Sequence, residues 1–265
     1  MYVDAHCHLD MPIFDGDRAA VVARARSLGV TQFVIAGVDR ESWVRQRSVT
    51  LEGWGAFWSA GIHPVRCAEM TAQELERSLS ALPACFSGEG AACAVGETGL
   101  DRRFAPKTTI PVQVESFRRH LDLACELELP IILHVVQAHG RCLEVLREHT
   151  LSKRGGMVHS FSGSIEVAEA YLDLGLCLSL SGASVRSERG RMRDVIPRIP
   201  EERLLLETDS PDQPLNRGDR NEPKSLIEIA NRVGKIRGCD PTKILRDSAA
   251  NCAELFGMQI EGSDE

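Results

Sequence analysis

The chain has 265 residues, 43% of them apolar and 26% charged, without low-complexity tracts, which excludes a disordered or fibrous protein and leaves room for one sizeable core. Its net charge of −7 argues against a broad non-specific nucleic-acid surface, because phosphate binding rests on Lys and Arg, but allows a local basic rim around a cleft. Nine cysteines without C-x-x-C pairs exclude a cysteine-zinc site or a disulfide frame, and no run reaches the roughly 18 apolar residues of a membrane span.

No basic-then-apolar signal leads the first segment, so a cytoplasmic location with reduced thiols is expected. Eight apolar segments then follow in chain order: YVDAHCH from Tyr2, QFVIAG from Gln32, FWSAGIHP from Phe57, AVGETGLD from Ala94, PIILHV from Pro130, GMVHSF from Gly156, CLSLSG from Cys177 and LLLETD from Leu204. Several are continuously apolar, as strands buried on both faces are. Between them lie helical patterns. The clearest spans Phe117 to Leu129, with Phe117, Leu121, Ala124, Cys125 and Glu128 on one stripe and Pro130 as the stop; all but Glu128 suit burial. Val145, Leu143 and Leu146, and then Val167, Ala168, Tyr171 and Leu172, give similar faces, and a last helix is expected from about Pro241 to Phe256.

Strands alternating with helices imply right-handed βαβ units and a parallel sheet. Eight of them in this length fit an α/β protein of the closed (β/α)8 TIM barrel type better than an open doubly wound sheet. No linker or composition shift interrupts the chain, so residues 1–265 read as one domain with a C-terminal helical segment near 241–257. No heptad, zipper or exposed-edge pattern appears, which favours a monomer.

The chemistry-bearing residues fall at strand ends. A strand alternates its side chains, so His6 and His8 point one way and Cys7 the other. Glu97 is placed at the end of the fourth strand, His134 of the fifth, His159 of the sixth and Asp209 of the eighth. In a parallel barrel those ends share one face, so six metal-competent side chains converge from five strands. Imidazole with carboxylate suits Zn, Mn, Fe, Ni or Co, and with enough carboxylate and water also Mg. Four histidines and two acids exceed what one tetrahedral ion takes from protein, so two divalent ions are the natural reading.

Together DAHCHLD, GIHP, VGETGLD, LPIILH, VHSFSGS and LLLETDSP resemble the TatD family of metal-dependent hydrolases, in order and over nearly the whole chain. The resemblance implies an amidohydrolase-like TIM barrel, a two-metal centre (Mg, Mn or Zn) and hydrolysis of DNA, commonly as a 3′-to-5′ exonuclease. Position by position, it implies that His6, His8 and Asp209 hold one ion, that Glu97 bridges, and that His134 and His159 hold the second. His63 of GIHP matches a substrate or phosphate contact. Asp209 is then the candidate to orient the attacking water and take its proton, with Glu97 the other catalytic carboxylate. Arg102 and Arg103, just after GLD, are the first choice as donors to a phosphoryl group.

The chain also departs from the pattern. Val136 and Gln137 stand where many relatives of this type carry Arg and Asp, Ser160 where Cys is frequent, and Asp212 where an aromatic residue is common. Substitute donors are expected in His139, Arg141 or the arginines Arg186, Arg189, Arg191, Arg193 and Arg198, whose run reads equally as a solvated helix face. Three functions stay open: a phosphodiesterase acting on DNA, a deacylase or amidase acting on a carbonyl such as that of D-aminoacyl-tRNA, and a nucleic-acid or protein binding member without turnover.

Overall fold

Continuous apolar runs become strands wherever β-branched and aliphatic residues can be covered on both faces, and all eight segments do so. The structure is a computed structural model and describes residues 1–104, 110–187 and 190–259. The strands are β1 (Tyr2–Cys7), β2 (Val30–Ile35), β3 (Ala56–Ala60), β4 (Ala94–Asp101), β5 (Ile131–Val136), β6 (Gly156–Val158), β7 (Leu176–Leu180) and β8 (Leu204–Leu206). Each pairs in parallel with the next, in the order β1 to β8. Two backbone hydrogen bonds join the ends of that sheet: Asp209 N–H donates to the His6 carbonyl at 2.9 Å and His8 N–H to the Ser210 carbonyl at 2.7 Å. The result is a TIM barrel whose seam lies beside two of the expected site residues.

The helices are α1 (Arg18–Arg26), α2 (Arg40–Leu51), α3 (Pro64–Glu69), α4 (Ala72–Ala81), α5 (Ile110–Glu126), α6 (His139–Glu148), α7 (Ile165–Asp173), α8 (Gly182–Val185), α9 (Met192–Val195), α10 (Leu226–Arg237) and α11 (Pro241–Phe256). The last matches its expected bounds. The expected helix from Phe117 begins earlier, at Ile110, and stops at Glu126, before Pro130. Glu128, placed on its stripe, lies beyond the helix in the left-handed region (φ 52°) and is exposed, so its charge stays in water. The arginine run follows α8, which ends at Val185, and among the described residues it forms α9 and a short 3-10 turn through Arg198 instead of one helix.

Two apolar layers follow from the alternation along the strands. The larger lies between strands and helices and includes Cys7, Phe33, Trp58, Phe117, Leu133 and Phe161. The second gathers Val3, Val34, Ala94, Ile132, Met157, Cys177 and Leu205 against Ala249, Cys252, Leu255 and Phe256 of α11. These strand residues sit mostly near the N-terminal ends, so α11 floors the barrel and leaves the opposite mouth open. Among the described residues, no helix is long and apolar enough to cross a membrane.

Candidate metal-binding active site

At the mouth the strands stop being apolar. His6 lies within β1 and His134 within β5, two residues short of the strand end expected for it, whereas His8, His159 and Asp209 follow the ends of β1, β6 and β8 by one, one and three residues. Glu97 does not end β4 as expected. It sits mid-strand, where the ladder to β5 slips between Val95 and Thr98 and the Glu97 N–H donates instead to the Gly37 carbonyl at 2.9 Å. The preceding glycine makes this possible: Gly96 (φ 138°) lies so close to β5 that a Cβ would stand 2.6 Å from the Ile132 carbonyl oxygen. The slip turns the Glu97 side chain into the barrel mouth, where it is 2% exposed.

Glu97 divides its two oxygens between two groups. Its Oε1 lies 2.8 Å from His134 Nδ1, 3.0 Å from His159 Nε2 and 3.4 Å from His63 Nε2. Its Oε2 lies 3.5 Å from His6 Nε2 and 4.0 Å from His8 Nε2. Asp209 Oδ1 completes the second group, 3.5 Å from His6 Nε2 and 3.3 Å from His8 Nε2. The six expected ligands therefore meet, with His63 beside them.

These positions fit divalent metal. Both ring nitrogens of His6 are buried and have no hydrogen-bond partner, an expense that folding tolerates when a ligand completes the group. The separations of 3.3–3.5 Å around Asp209 Oδ1 and His6 Nε2 are close to the edge of a tetrahedral shell with bonds of about 2.1 Å, about 3.4 Å. Three triads hold their ligand atoms within 4.8 Å of one another and could each take an ion: His6, His8 and Glu97; His63, Glu97 and His134; and His6, His159 and Glu207.

The carboxylates set the charges. Burial would raise the Glu97 and Asp209 carboxyls, but the surrounding histidines hold Glu97 well below the usual range and Asp209 down at about 2. Burial alone would lower His8, yet Asp209 and Glu97 push it up to about 9, and the same contest leaves His134 and His159 raised. His63 goes the other way: burial and then the neighbouring His134 push it down to about 4. Its Nδ1 accepts from the Val65 N–H at 3.1 Å, which leaves the Nε2–H of the neutral ring to donate into the site.

Two acids outside the expected set orient these histidines. Asp101 Oδ2 is 2.9 Å from His134 Nε2, so the Nδ1 lone pair is presented to the cluster, and Glu207 Oε1 is 3.3 Å from His159 Nδ1. Glu207 also accepts the Ser160 N–H at 2.7 Å. The alternation that pairs His6 with His8 also pairs Glu207 with Asp209, and was the available signal. Asp4, raised to about 8 by burial, accepts from Thr208 N–H (2.8 Å) and Oγ1 (2.5 Å) and so anchors the turn that carries Asp209 at φ 55°.

A cleft of about 570 Å³ opens over the cluster, walled by His8, Glu97, His134, His159 and Asp209 at its base and by Val65, Arg66, Arg103, Asp212 and Gln213 above. The expected donors divide. Arg103 lines the cleft, but its guanidinium holds Asp101 through Nη2 (2.5 Å) and Nε (3.0 Å). Arg102 is exposed and is not part of the wall. His139 is also absent from it: the ring bonds the Tyr171 hydroxyl at 3.1 Å beside Phe161. Arg141 pairs with Glu144 on α6 and Arg186 with the Pro214 carbonyl, while Arg191, Arg193 and Arg198 are exposed and Arg189 lies outside the described residues. Arg66, on α3, was not expected.

Residues 3–257 match the model of the TatD-related DNase family. The chain belongs to the TatD family of metal-dependent hydrolases. Among its relatives, a 3′-5′ ssDNA/RNA exonuclease TatD from Rahnella sp. is 36% identical over 92% of this chain and 94% of its own length. The metal-dependent hydrolase YjjV of Escherichia coli K12 is 31% identical over 97% and 98% of the two chains. The crystal structure of that TatD homologue superposes with a TM-score of 0.89, again over 97% and 98%. TatD membership and the histidine–carboxylate cluster together make this chain a metal-dependent hydrolase.

Proposed function

We propose that this TatD-family hydrolase is a phosphodiesterase acting on DNA, of the 3′-to-5′ exonuclease type, with two divalent ions shared across Glu97. The observation that carries the reading is the division of the Glu97 oxygens between the His6/His8/Asp209 group and the His134/His159 group, beneath an open cleft. The Rahnella relative bears the exonuclease name and gives independent support.

When bound, such a pair of ions supplies Lewis acidity and lowers the pKa of a water from 15.7 towards about 7. His6, His8 and Asp209 would hold one ion and His134 and His159 the other, with Glu97 able to serve both through its two oxygens. Asp209, ionised down to about pH 2, orients the attacking water and accepts its proton. The neutral His63 donates from Nε2 to a phosphoryl oxygen, and Arg66 adds charge from the wall. Arg103 acts through Asp101, fixing the tautomer of His134.

A second reading has its own observation. Asp212, an exposed acid whose carboxyl is pushed up by partial desolvation and by the neighbouring Asp209, lines the cleft, and Val136 supplies no guanidinium, so a carbonyl substrate would meet less repulsion than a phosphate. The test is digestion of end-labelled single-stranded DNA, an aminoacyl-tRNA and chromogenic phosphodiester and amide substrates with Mg, Mn or Zn, each with and without chelator. Chelator-sensitive release of mononucleotides from the 3′ end is expected. Turnover of the aminoacyl ester or the amide without any cleavage of phosphodiesters would replace this reading with the second.

A further inference from the structure

The cleft over Glu97 shares one wall residue with a neighbouring cavity. Arg66, in its wall, also lines a second groove of about 330 Å³ whose other walls include Arg40, Met70 and Arg77. Arg40 opens α2 and Arg66 lies in α3, so both follow the ends of β2 and β3 on the barrel face that carries the ligand cluster. Arg77 reaches the same groove from α4.

The acids of this wall are committed. Glu74 Oε2 accepts from the Thr71 N–H (2.8 Å) and hydroxyl (2.7 Å), capping α4. Asp39 Oδ2 and Glu69 Oε2 accept from Arg66 at 2.7 and 2.5 Å and fix its position between the two cavities. Arg40 and Arg77 are exposed and, among the described residues, bond no carboxylate. Arg40 and Arg77 thus leave two guanidinium groups without a described carboxylate partner beside Arg66; Asp39, Glu69 and Glu74 offset the net charge, so the wall offers unpaired donors to phosphate and not a net positive field.

We propose that this groove tracks the substrate strand: Arg40 and Arg77, linked to the cleft by Arg66, hold backbone phosphates of a single-stranded polynucleotide at nucleotides beyond the one over Glu97. The inference rests on the phosphodiesterase reading and deepens it, by assigning to Arg40 and Arg77 the nucleotides that lie beyond the scissile one. Arg matches phosphate oxygens in pairs, and Met70 in the same wall offers an apolar surface for a base.

The test is fluorescence anisotropy of labelled octathymidylate and dithymidylate, with chelator present, on the full chain and on Arg40→Ala, Arg77→Ala and the double variant, each checked by thermal melting. The double variant is expected to bind the octamer about tenfold more weakly, with a log-log salt slope shallower by about 0.7 per arginine removed, and the dinucleotide as the parent does. Equal octamer affinity in parent and double variant overturns the subsite, as does an equal loss on the dinucleotide. Those results in a protein that still cleaves phosphodiesters sink the subsite alone, whereas a parent that cleaves none with any metal sinks the phosphodiesterase reading and this inference with it.

Discussion

The two ends of this barrel use the same eight strands for opposite purposes. Near their N-terminal ends the strands present Val3, Ala94, Ile132, Met157 and Leu205 to the apolar face of α11. A few residues later they present His6, Glu97, His134, His159 and Glu207, all buried and held together by charge. The floor lowers the free energy of folding by removing apolar surface from water, at roughly 25 cal/mol per Å². The mouth does the reverse, since it desolvates charges and leaves His6 without hydrogen bonds. Stability and chemistry are thus separated along the barrel axis, and substitutions at each end should separate in the same way.

The largest effect is expected at the mouth. His6→Ala should lower hydrolysis by about 10³-fold or more while thermal stability without metal changes little, because an imidazole whose two buried nitrogens have no hydrogen-bond partner leaves along with its ligand role; rates and melting curves on one preparation check this. Phe256→Ala at the floor should do the opposite, costing about 3 kcal/mol in urea unfolding with kcat retained where the protein is folded. Glu207→Gln keeps the shape but removes the charge behind His159, and should weaken metal binding about 10- to 100-fold by competition titration.

The smallest effect is a pH dependence. In the metal-free protein His8 is raised to about 9, so below that pH a proton must leave before its nitrogen can bind an ion. Apparent metal affinity should therefore rise with pH between 7 and 9, by up to about tenfold per unit for each proton released, and flatten above. Calorimetry in buffers of different ionisation enthalpy counts that proton directly, and a pH-independent affinity over this range would contradict the charge assignment.

The strands and the convergence of the six His, Asp and Glu side chains were legible for one physical reason: buried parallel strands must be apolar, so each such residue near the end of an apolar run stands out. Alternation then gave His6 and His8 a common direction. What failed depended on packing between segments. The place of Glu97 within β4 is set by the close approach of Gly96 to β5, and the end of α5 by the turn through Glu128, neither of which has a periodic signature. Arg103 and His139 carry the right chemistry, but Asp101 and Tyr171, distant partners or near neighbours placed by the fold, engage them. Arg66 was missed because only the turn of α3 brings it over the cleft.

The claim on which the rest depends is that the mouth of the barrel binds metal through these side chains. Elemental analysis of purified protein after metal loading and desalting tests it, comparing the parent with His6→Ala, Asp209→Ala and Cys7→Ser. The account predicts about two ions per chain in the parent and in Cys7→Ser, whose sulfur lies in the outer apolar layer, and a loss of at least one ion in each of the other two. Unchanged metal content in His6→Ala and Asp209→Ala would contradict it.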